Sequence, residues 1–314
     1  MQIDFADAQQ ALSFLLPQIL TINTEVDMME YPDFNYARLM HVNTDGGMWS
    51  QGQVHYSGDI AGAADWMSAK GFDMPKANVS RTQHLRPNYL AGIGYEYTRS
   101  ELEQAAQADT DLNSDKAEAA RTVAESYIYG IAMRGDTTKN LTGLVNNGSV
   151  PRADVPNDGT GSARTFASKT ATQVLRDVNA CLNAPFNSTL ETKRANRLLL
   201  PTTKLQYLAE TPRSEHSDMT ILAFLKENNS YTLETGQQLE IIGTRELETA
   251  GSGNTARMMA YSSDKNVVQM HLPGPHEFLE PFQANSLLWE IGGIMNIGGV
   301  EFRRPKGAAY RDGI

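Results

Sequence analysis

The chain has 314 residues, which predicts one large domain or two modest ones, and a chain of this size buries about 75% of its unfolded surface. Apolar residues make up 40% and charged residues 20%, as in an ordinary globular protein, and one cysteine, Cys181, excludes an internal disulfide framework and any all-cysteine metal site. The net charge of −10, with scattered basic residues, argues against a protein that grips nucleic acid through many phosphates, although it allows one that encloses nucleic acid.

The first 44 residues begin with a short helical pattern that Pro17 closes. Its apolar residues share one side of a helix and are Phe5, Ala8, Leu12 and Leu15 or Leu16. Two interpretations stay open: a helix packed on the core of its own chain, or an arm that lies on a neighbouring subunit. The segment lacks a basic leader and no apolar run reaches the ~20 residues that cross a bilayer, so we expect a cytosol-like compartment and no membrane partner.

Residues 45–90 form a polar segment punctuated by glycines. Gln51–Ser57 and Asn78–Arg86 are predicted to be extended, and in the second strand neither face is apolar enough to be buried in a core. A polar two-stranded ribbon is marginal alone in water. It is either a surface hairpin closed by its own tip or a ribbon held by a neighbouring copy, and we favour the neighbour. The apolar residues near the tip are Trp66, Met67, Phe72 and Met74.

A strongly helical block follows. Thr98 and Glu101 fit a capping box, and a second helix start is predicted at residues 113–115, where an acid sits in the first turn. From there one apolar stripe recurs at helical spacing, formed by Ala120, Val123, Ala124, Tyr127, Ile128 and Ile131. Gly135 can end the helix as a left-handed cap, and the sequence GDTTKNLTGLVNN predicts a turn-rich exit.

The second half predicts helices and strands around one sheet, followed by a region of strands. Ser168 is predicted to cap a helix that buries Val174 to Leu182, and another helix is predicted from Ser217. The predicted strands are Arg197–Leu200, Leu239–Gly243, Arg257–Tyr261, Asn266–Leu272 and Leu287–Phe302. Glycines 292, 293, 298 and 299 interrupt the last run and indicate bulges or close backbone approach.

No catalytic pattern is complete in this sequence. GTGSAR at 159–164 lacks the Lys-Ser/Thr pair of a phosphate loop, and GIGYEY at 92–97 lacks the third glycine of a dinucleotide fingerprint. His271 and His276 are separated by Pro-Gly-Pro and cannot share a helix face as zinc ligands do. We therefore expect no catalytic residue, no metal site and no cofactor.

The order of these elements resembles that of the major capsid proteins of tailed bacteriophages, which have the Hong-Kong-97-type fold. The ribbon at 45–90 is similar to the family's extended loop, and YTRSELEQAAQ with the following helix is similar to its spine helix. The GD…LTGLVNN exit is similar to the passage from peripheral to axial domain. LEIIGT and IGGIMNIGGVEFRRPKGAAYRDGI are similar to the later strands and C-terminus. Each motif is degenerate, and their order over nearly the whole chain carries the resemblance.

The resemblance implies an α+β capsid fold. Its expected parts are an N-terminal arm (1–44), an extended β-ribbon loop (45–92), a peripheral domain with the spine helix (93–145), an axial α/β domain (146–245), and peripheral-domain strands with a C-terminal return (246–314). It implies a major capsid protein, not an enzyme, that self-assembles into pentamers and hexamers of an icosahedral phage head around double-stranded DNA. The alternatives are an encapsulin-like, non-viral compartment shell and a soluble enzyme whose site is unread.

The implied partners are further copies of the chain, a portal, possible decoration proteins, and packaged DNA bound without sequence specificity. No charged coiled segment precedes the arm, so scaffolding is expected to be a separate protein. The expected location is the virion capsid, assembled in the host cytoplasm. No motif selects an asparagine for cross-linking to Lys70 or Lys76, and we expect no such cross-link. The candidate inter-subunit contacts are Trp66, Lys70, Phe72, Arg81 and Arg86.

Overall fold

A computed structural model describes residues 34–63, 76–101, 112–214 and 217–314. The helices are α1 (Tyr36–Leu39), α2 (Leu112–Arg134), α3 (Ala171–Ser188), α4 (Thr202–Glu210), α5 (Ile221–Glu227) and α6 (Ser230–Thr235). The strands of the first half are β1 (His41–Asn43), β2 (Gly52–Ala61), β3 (Asn78–Pro87), β4 (Tyr89–Gly92), β5 (Tyr95–Thr98), β6 (Gly135–Asp136), β7 (Leu141–Thr142) and β8 (Arg152–Asp154). Those of the second half are β9 (Arg197–Leu200), β10 (Pro212–Ser214), β11 (Ser217–Thr220), β12 (Glu240–Gly243), β13 (Arg257–Tyr261), β14 (Val268–His271), β15 (Gly274–Phe278), β16 (Phe282–Asn285), β17 (Leu288–Ile291), β18 (Gly293–Ile297), β19 (Gly299–Phe302) and β20 (Ala308–Asp312).

The largest sheet has five strands in the order β12-β9-β13-β20-β8 and separates two hydrophobic cores. Neighbouring side chains on a strand point to opposite faces, so uninterrupted apolar strands can supply both cores. The side chains toward the core that contains α3 are Leu198, Leu200, Met258 and Ala260. Those toward the core that contains α2 are Leu199, Met259, Tyr261 and Tyr310. The fully apolar runs of β9 and β13 are explained by burial on both faces.

Helices α3, α4 and α5 pack on one side of this sheet, and two predicted helix starts need correction. Thr170, not Ser168, caps α3 in a capping box with Gln173. The helix predicted from Ser217 begins at Ile221, because residues 217–220 form β11 and pair with β10. Thr220 then caps α5 by accepting the Ala223 N–H, so both caps are the threonine next to the first helical residue.

The other core lies beneath α2 and two small sheets, β1-β14-β19 and β15-β18-β4, whereas a third small sheet, β16-β17-β5, supplies none of its described residues. Ala124, Ile128 and Ala132 of α2 are fully buried in it. The predicted apolar stripe is wider than the buried face, because Val123 and Tyr127 remain almost half exposed. No helix among the described residues is long and apolar enough to cross a bilayer.

Glycines lie at the predicted helix end and at the predicted points of close backbone approach. Gly135 ends α2 with a φ of +71°, a conformation that side chains disfavour. A Cβ on Gly293 would lie 2.3 Å from the Ile93 carbonyl oxygen, and one on Gly298 would lie 2.4 Å from Asn88 Oδ1. The run predicted over Leu287–Phe302 is therefore three strands that other backbone approaches closely.

Candidate assembly interface

Among the strands that the structure describes, β2 and β3 pair only with each other and form a two-stranded ribbon. Their register runs from Gly52 opposite Pro87 to Ala61 opposite Asn78. The first strand begins one residue later and ends four residues later than predicted, and the second ends one residue later. Residues directly opposite each other share a face. The register therefore decides which side chains the ribbon presents on each side.

One face of the ribbon lies in solvent and presents five apolar side chains together with Arg81 and Gln83. We call it the apolar ribbon face, and its apolar residues are Val54, Tyr56, Ile60, Val79 and Leu85, each at least 45% exposed. As expected from β3, this face is not buried in a core, although β2 adds three apolar side chains to it. Exposed apolar surface of this kind marks an interaction site.

The opposite face carries the polar residues, and at its root it contacts the body of the protein. His55 lies directly opposite His84, with ring centroids 4.8 Å apart, and His84 Nε2 is 2.9 Å from Ser57 Oγ. Further from the root, both strands are exposed on this side too. The ribbon is therefore held to its own chain at one end.

A single buried carboxylate holds that end. Glu301 Oε1 lies 3.1 Å from His55 Nδ1 and 3.3 Å from Arg86 Nε, both on the ribbon. Its other oxygen, Oε2, lies 2.9 Å from His271 Nε2 and 3.3 Å from Arg303 Nε, both on the body. We call these five residues the anchor cluster. One oxygen of Glu301 faces the ribbon and the other faces the sheet β14–β19, so this carboxylate joins the two.

Electrostatics fix the charge of the anchor cluster. Burial acts to raise the pKa of Glu301, but the hydrogen bond from His271 and the surrounding positive charge outweigh it and lower that pKa to about 2. Burial lowers the pKa of His55 more than the charge of Glu301 raises it. The carboxylate is thus ionised at neutral pH and attracts both arginines. An open cavity of about 320 Å³ borders the cluster.

The loops at the ribbon root are fixed by the side-chain amide of Asn296 and by a backbone hydrogen bond of Asn88. Asn296 Nδ2 donates to the carbonyls of Met48 and Ser50, at 2.9 and 2.8 Å. The Asn88 N–H donates to the Gln51 carbonyl at 3.0 Å, directly below the first strand pair. The chain therefore enters and leaves the ribbon at a defined position.

The long helix α2 is joined to the sheets at both ends. At its start, Lys116 Nζ lies 2.9 Å from the Glu96 carbonyl oxygen and 3.1 Å from Glu101 Oε2. Glu101 also accepts the Thr98 N–H, which confirms the predicted capping box. At its end, the N–H groups of Leu144 and Val145 donate to carbonyls of the last turn. The GD…LTGLVNN exit thus satisfies the helix C-terminus.

The structure describes two of the five predicted contact residues. Arg81 is exposed on the ribbon, and Arg86 is turned to Glu301 of its own chain. Trp66, Lys70 and Phe72 lie outside the described residues. The role of Glu301 was not predicted from the sequence, although an acid within the glycine-interrupted apolar run GGVEF is a usable signal, because a buried carboxylate needs cations.

The polar clusters of the described residues have no catalytic arrangement that we recognise. Cys181 is fully buried on α3, and burial raises the pKa of its thiol to about 12, so it is not a nucleophile at neutral pH. Within the described ranges no group of three potential ligands converges as a metal site. The feature of the described residues that remains to be explained is the exposed apolar surface of the ribbon.

Comparison with known protein families distinguishes between two functions for this chain, that of an enzyme and that of a shell-forming structural protein. The model of the major capsid protein family matches residues 62–314 of the chain. The chain belongs to the major capsid protein family. It is therefore a structural protein of a viral capsid and not an enzyme, and its place is the virion. No curated protein matches the sequence.

Solved structures give the fold of this capsid protein. The capsid of Myoviridae phage XM1 is similar with a TM-score of 0.78 at 18% identity, covering 95% of this chain and 98% of that one. The capsid of an empty GTA particle has a TM-score of 0.61 at 10% identity, covering 94% and 95%. A virus-like particle from Pyrococcus furiosus has a TM-score of 0.50 at 12% identity, covering 88% and 91%. The predicted Hong-Kong-97-type capsid fold is confirmed.

Proposed function

We propose that copies of this capsid protein assemble into pentamers and hexamers that close an icosahedral bacteriophage head around double-stranded DNA. The observation that carries the proposal is the apolar ribbon face, which the described residues of its own chain leave exposed along two ten-residue strands. Buried apolar area stabilises association, and obligate interfaces often exceed about 2,000 Å² in total. An isolated subunit exposes a surface that further copies can cover.

The five parts expected from the sequence have distinct roles in this proposal. The arm (1–44) and the ribbon loop (45–92) reach neighbouring subunits, and Trp66, Lys70 and Phe72 near the ribbon tip contact them. The axial domain (146–245) lies at the ring centre, while the peripheral domain (93–145) and the last segment (246–314) lie between rings. Because one sequence must form rings of two sizes, the loops and ribbons adjust while the sheets stay fixed.

The DNA and the remaining partners are inferred from charge and from the family. A net charge of −10 disfavours a tight grip on phosphate, so the DNA is confined by the wall and neutralised by counterions. A separate scaffolding protein, a portal and possible decoration proteins complete the head, which assembles in the host cytoplasm.

Particle content tests this function. The chain is produced in the phage-infected host, and the particles are purified and treated with nuclease. They are then assayed for protected DNA and for their sedimentation. Particles that protect long double-stranded DNA support the proposal. A chain that remains monomeric in the presence of its scaffolding protein contradicts it.

A protein compartment is the second candidate, favoured by the similarity to the virus-like particle from Pyrococcus furiosus. Closed particles that carry an enzyme and no protected nucleic acid would establish this alternative.

The ribbon tip offers a direct test of the arm-and-ribbon assignment. Deleting Gly62–Asp73 should leave the far-ultraviolet circular dichroism of the subunit unchanged, because the described part of the ribbon contacts the body only near Glu301. Light scattering should then detect no particles. Particles of normal size from the deletion variant would contradict the assignment.

A further inference from the structure

The open cavity beside the anchor cluster lies where the ribbon root meets the body, and residues of both form its wall. Its volume of about 320 Å³ is at the small end of the range of about 300–1,000 Å³ that is usual for ligand pockets. A ligand of this cavity is therefore small or enters with one small group. The ionisable side chains of the wall are His55, Arg86, His271, Arg303, Asp45 and Glu301.

Arg86 belongs to the ribbon and uses only part of its hydrogen-bonding capacity. Its Nε lies 3.3 Å from Glu301 Oε1, and its side chain is 27% exposed. A guanidinium has five N–H donors in a planar fork that matches the oxygens of a phosphate group. Neither Nη atom of Arg86 donates to any residue that the structure describes. Arg86 is thus held through Nε and keeps its two outer nitrogens for a ligand.

Arg303 provides a second guanidinium from the body. Its Nε lies 3.3 Å from Glu301 Oε2, and its side chain is 30% exposed. With the side-chain amide of Gln269 oriented so that its oxygen faces its donors, that oxygen accepts from Arg303 Nη2 at 2.6 Å. Within the described part of the chain, Nη1 of Arg303 has no acceptor. Both arginines are therefore fixed in place before any ligand binds, which lowers the entropic cost of binding.

The charges of the wall select an anion over a cation. The carboxylate of Glu301 is already shared between two arginines and two histidines, so its charge is compensated inside the anchor cluster. A metal ion would be repelled by Arg86 and Arg303, and no group of three potential metal ligands converges among the described residues. An oxyanion would instead accept charge-assisted hydrogen bonds from both guanidinium groups. Asp45 opposes such an anion, because its exposed carboxylate forms no ion pair with a described residue.

We propose that this cavity binds one tetrahedral oxyanion of the phosphate type, with Arg86 of the ribbon and Arg303 of the body as its donors. The bound anion links the ribbon root to the body beside Glu301, so it forms a second bridge across the same joint. A free phosphate ion and a phosphate group of DNA offer this same chemistry. The site lies within one subunit, so the inference goes beyond the proposed function and does not depend on it.

Isothermal titration calorimetry of the unassembled full-length chain with inorganic phosphate, at constant pH and ionic strength, tests the site. We expect one saturable site per chain with a Kd on the order of 1 mM or below. Arg86→Gln should weaken binding about tenfold or more, because it removes charge-assisted hydrogen bonds. The matched control is Arg81→Gln, an exposed arginine on the apolar ribbon face, five residues and about 16 Å along the strand from Arg86. Its Kd should stay within about twofold of the wild type, since this separation exceeds the Debye length of about 8 Å. The absence of a saturable site, or acetate bound as tightly as phosphate, would overturn the inference.

Asp45→Asn separates a binding role of the cavity from a structural one. Asp45 is exposed on the wall and outside the anchor cluster, so the variant should fold as the wild type does. It should bind phosphate about three- to tenfold more tightly, because a like charge near the anion is removed. Unchanged or weaker binding by this variant would overturn the inference.

A short DNA duplex distinguishes the two sources of the oxyanion. If the duplex, added at an equal concentration of phosphate groups, abolishes the heat of phosphate binding, the site takes the DNA backbone. If the heat is unchanged, the site takes a free ion, and either result supports the site. A chain that binds phosphate but forms no particle with its scaffolding protein would contradict the proposed function alone.

Discussion

Replacing Glu301 by glutamine tests the role of the anchor cluster most sharply. The side chain is 5% exposed, and the change removes its charge while keeping its volume. A carboxyl whose pKa falls from 4.5 to about 2 on folding contributes about 3 kcal/mol at neutral pH. Arg86 and Arg303 are partly exposed and can regain water, so we expect Glu301→Gln to lower the free energy of unfolding by about 2–3 kcal/mol.

Urea unfolding of the unassembled chain at pH 7, followed by circular dichroism, measures this loss. Glu277→Gln is the matched control, because Glu277 is exposed on β15, and its free energy of unfolding should stay within about 0.5 kcal/mol of the wild type. A Glu301→Gln variant as stable as that control would refute the reasoning, since it would mean that the ion pairs and hydrogen bonds around the carboxylate contribute no net stability.

Three further predictions concern the pH dependence of stability, the backbone conformation at two glycines, and the reactivity of the cysteine thiol. The pKa of His55 lies below its ordinary value of 6.5, so the unfolded chain binds this proton more readily and the stability of the protein falls as the pH drops below 6.5. Thermal unfolding at pH 7 and pH 5 should therefore show a smaller loss of stability in His55→Gln than in the wild type. An equal loss in both proteins would contradict the prediction. Gly135→Ala should lower the free energy of unfolding by about 2 kcal/mol or more, because the new Cβ would lie 2.1 Å from the Leu141 carbonyl oxygen and the residue has a φ of +71°. Gly130→Ala lies within α2, where a Cβ meets open space, and should raise the free energy of unfolding by about 0.5–1 kcal/mol. Urea unfolding measures both changes, and the opposite order of stability would contradict the prediction. Cys181 should react with a thiol reagent only after unfolding, and rapid labelling of the native chain would contradict its burial.

Local sequence signals predicted the elements that depend on nearby residues. Three predicted features are present: the capping box at Thr98 and Glu101, the end of α2 at Gly135, and the strand Arg197–Leu200. Each depends on residues within one turn or one strand. The cap of α3 was misplaced by two residues, because Ser168 and Thr170 are equally good caps and only Thr170 has glutamine three residues later.

The features of the candidate interface depend on strand register, which one sequence does not reveal. The apolar ribbon face exists because Val54 stands opposite Leu85 and Ile60 stands opposite Val79. Glu301 becomes an anchor only when β19 pairs with β14 and the ribbon root lies over both. The contacts of Glu301 with His55 and Arg86 join residues more than 200 positions apart, so these partners could not be predicted from the local pattern.

Electron cryo-microscopy of purified particles tests the central claim most directly. The account predicts closed particles built from rings of five and six subunits, with each ribbon lying on a neighbouring copy. A particle-free sample of well-folded monomers, prepared together with the scaffolding protein, would contradict it.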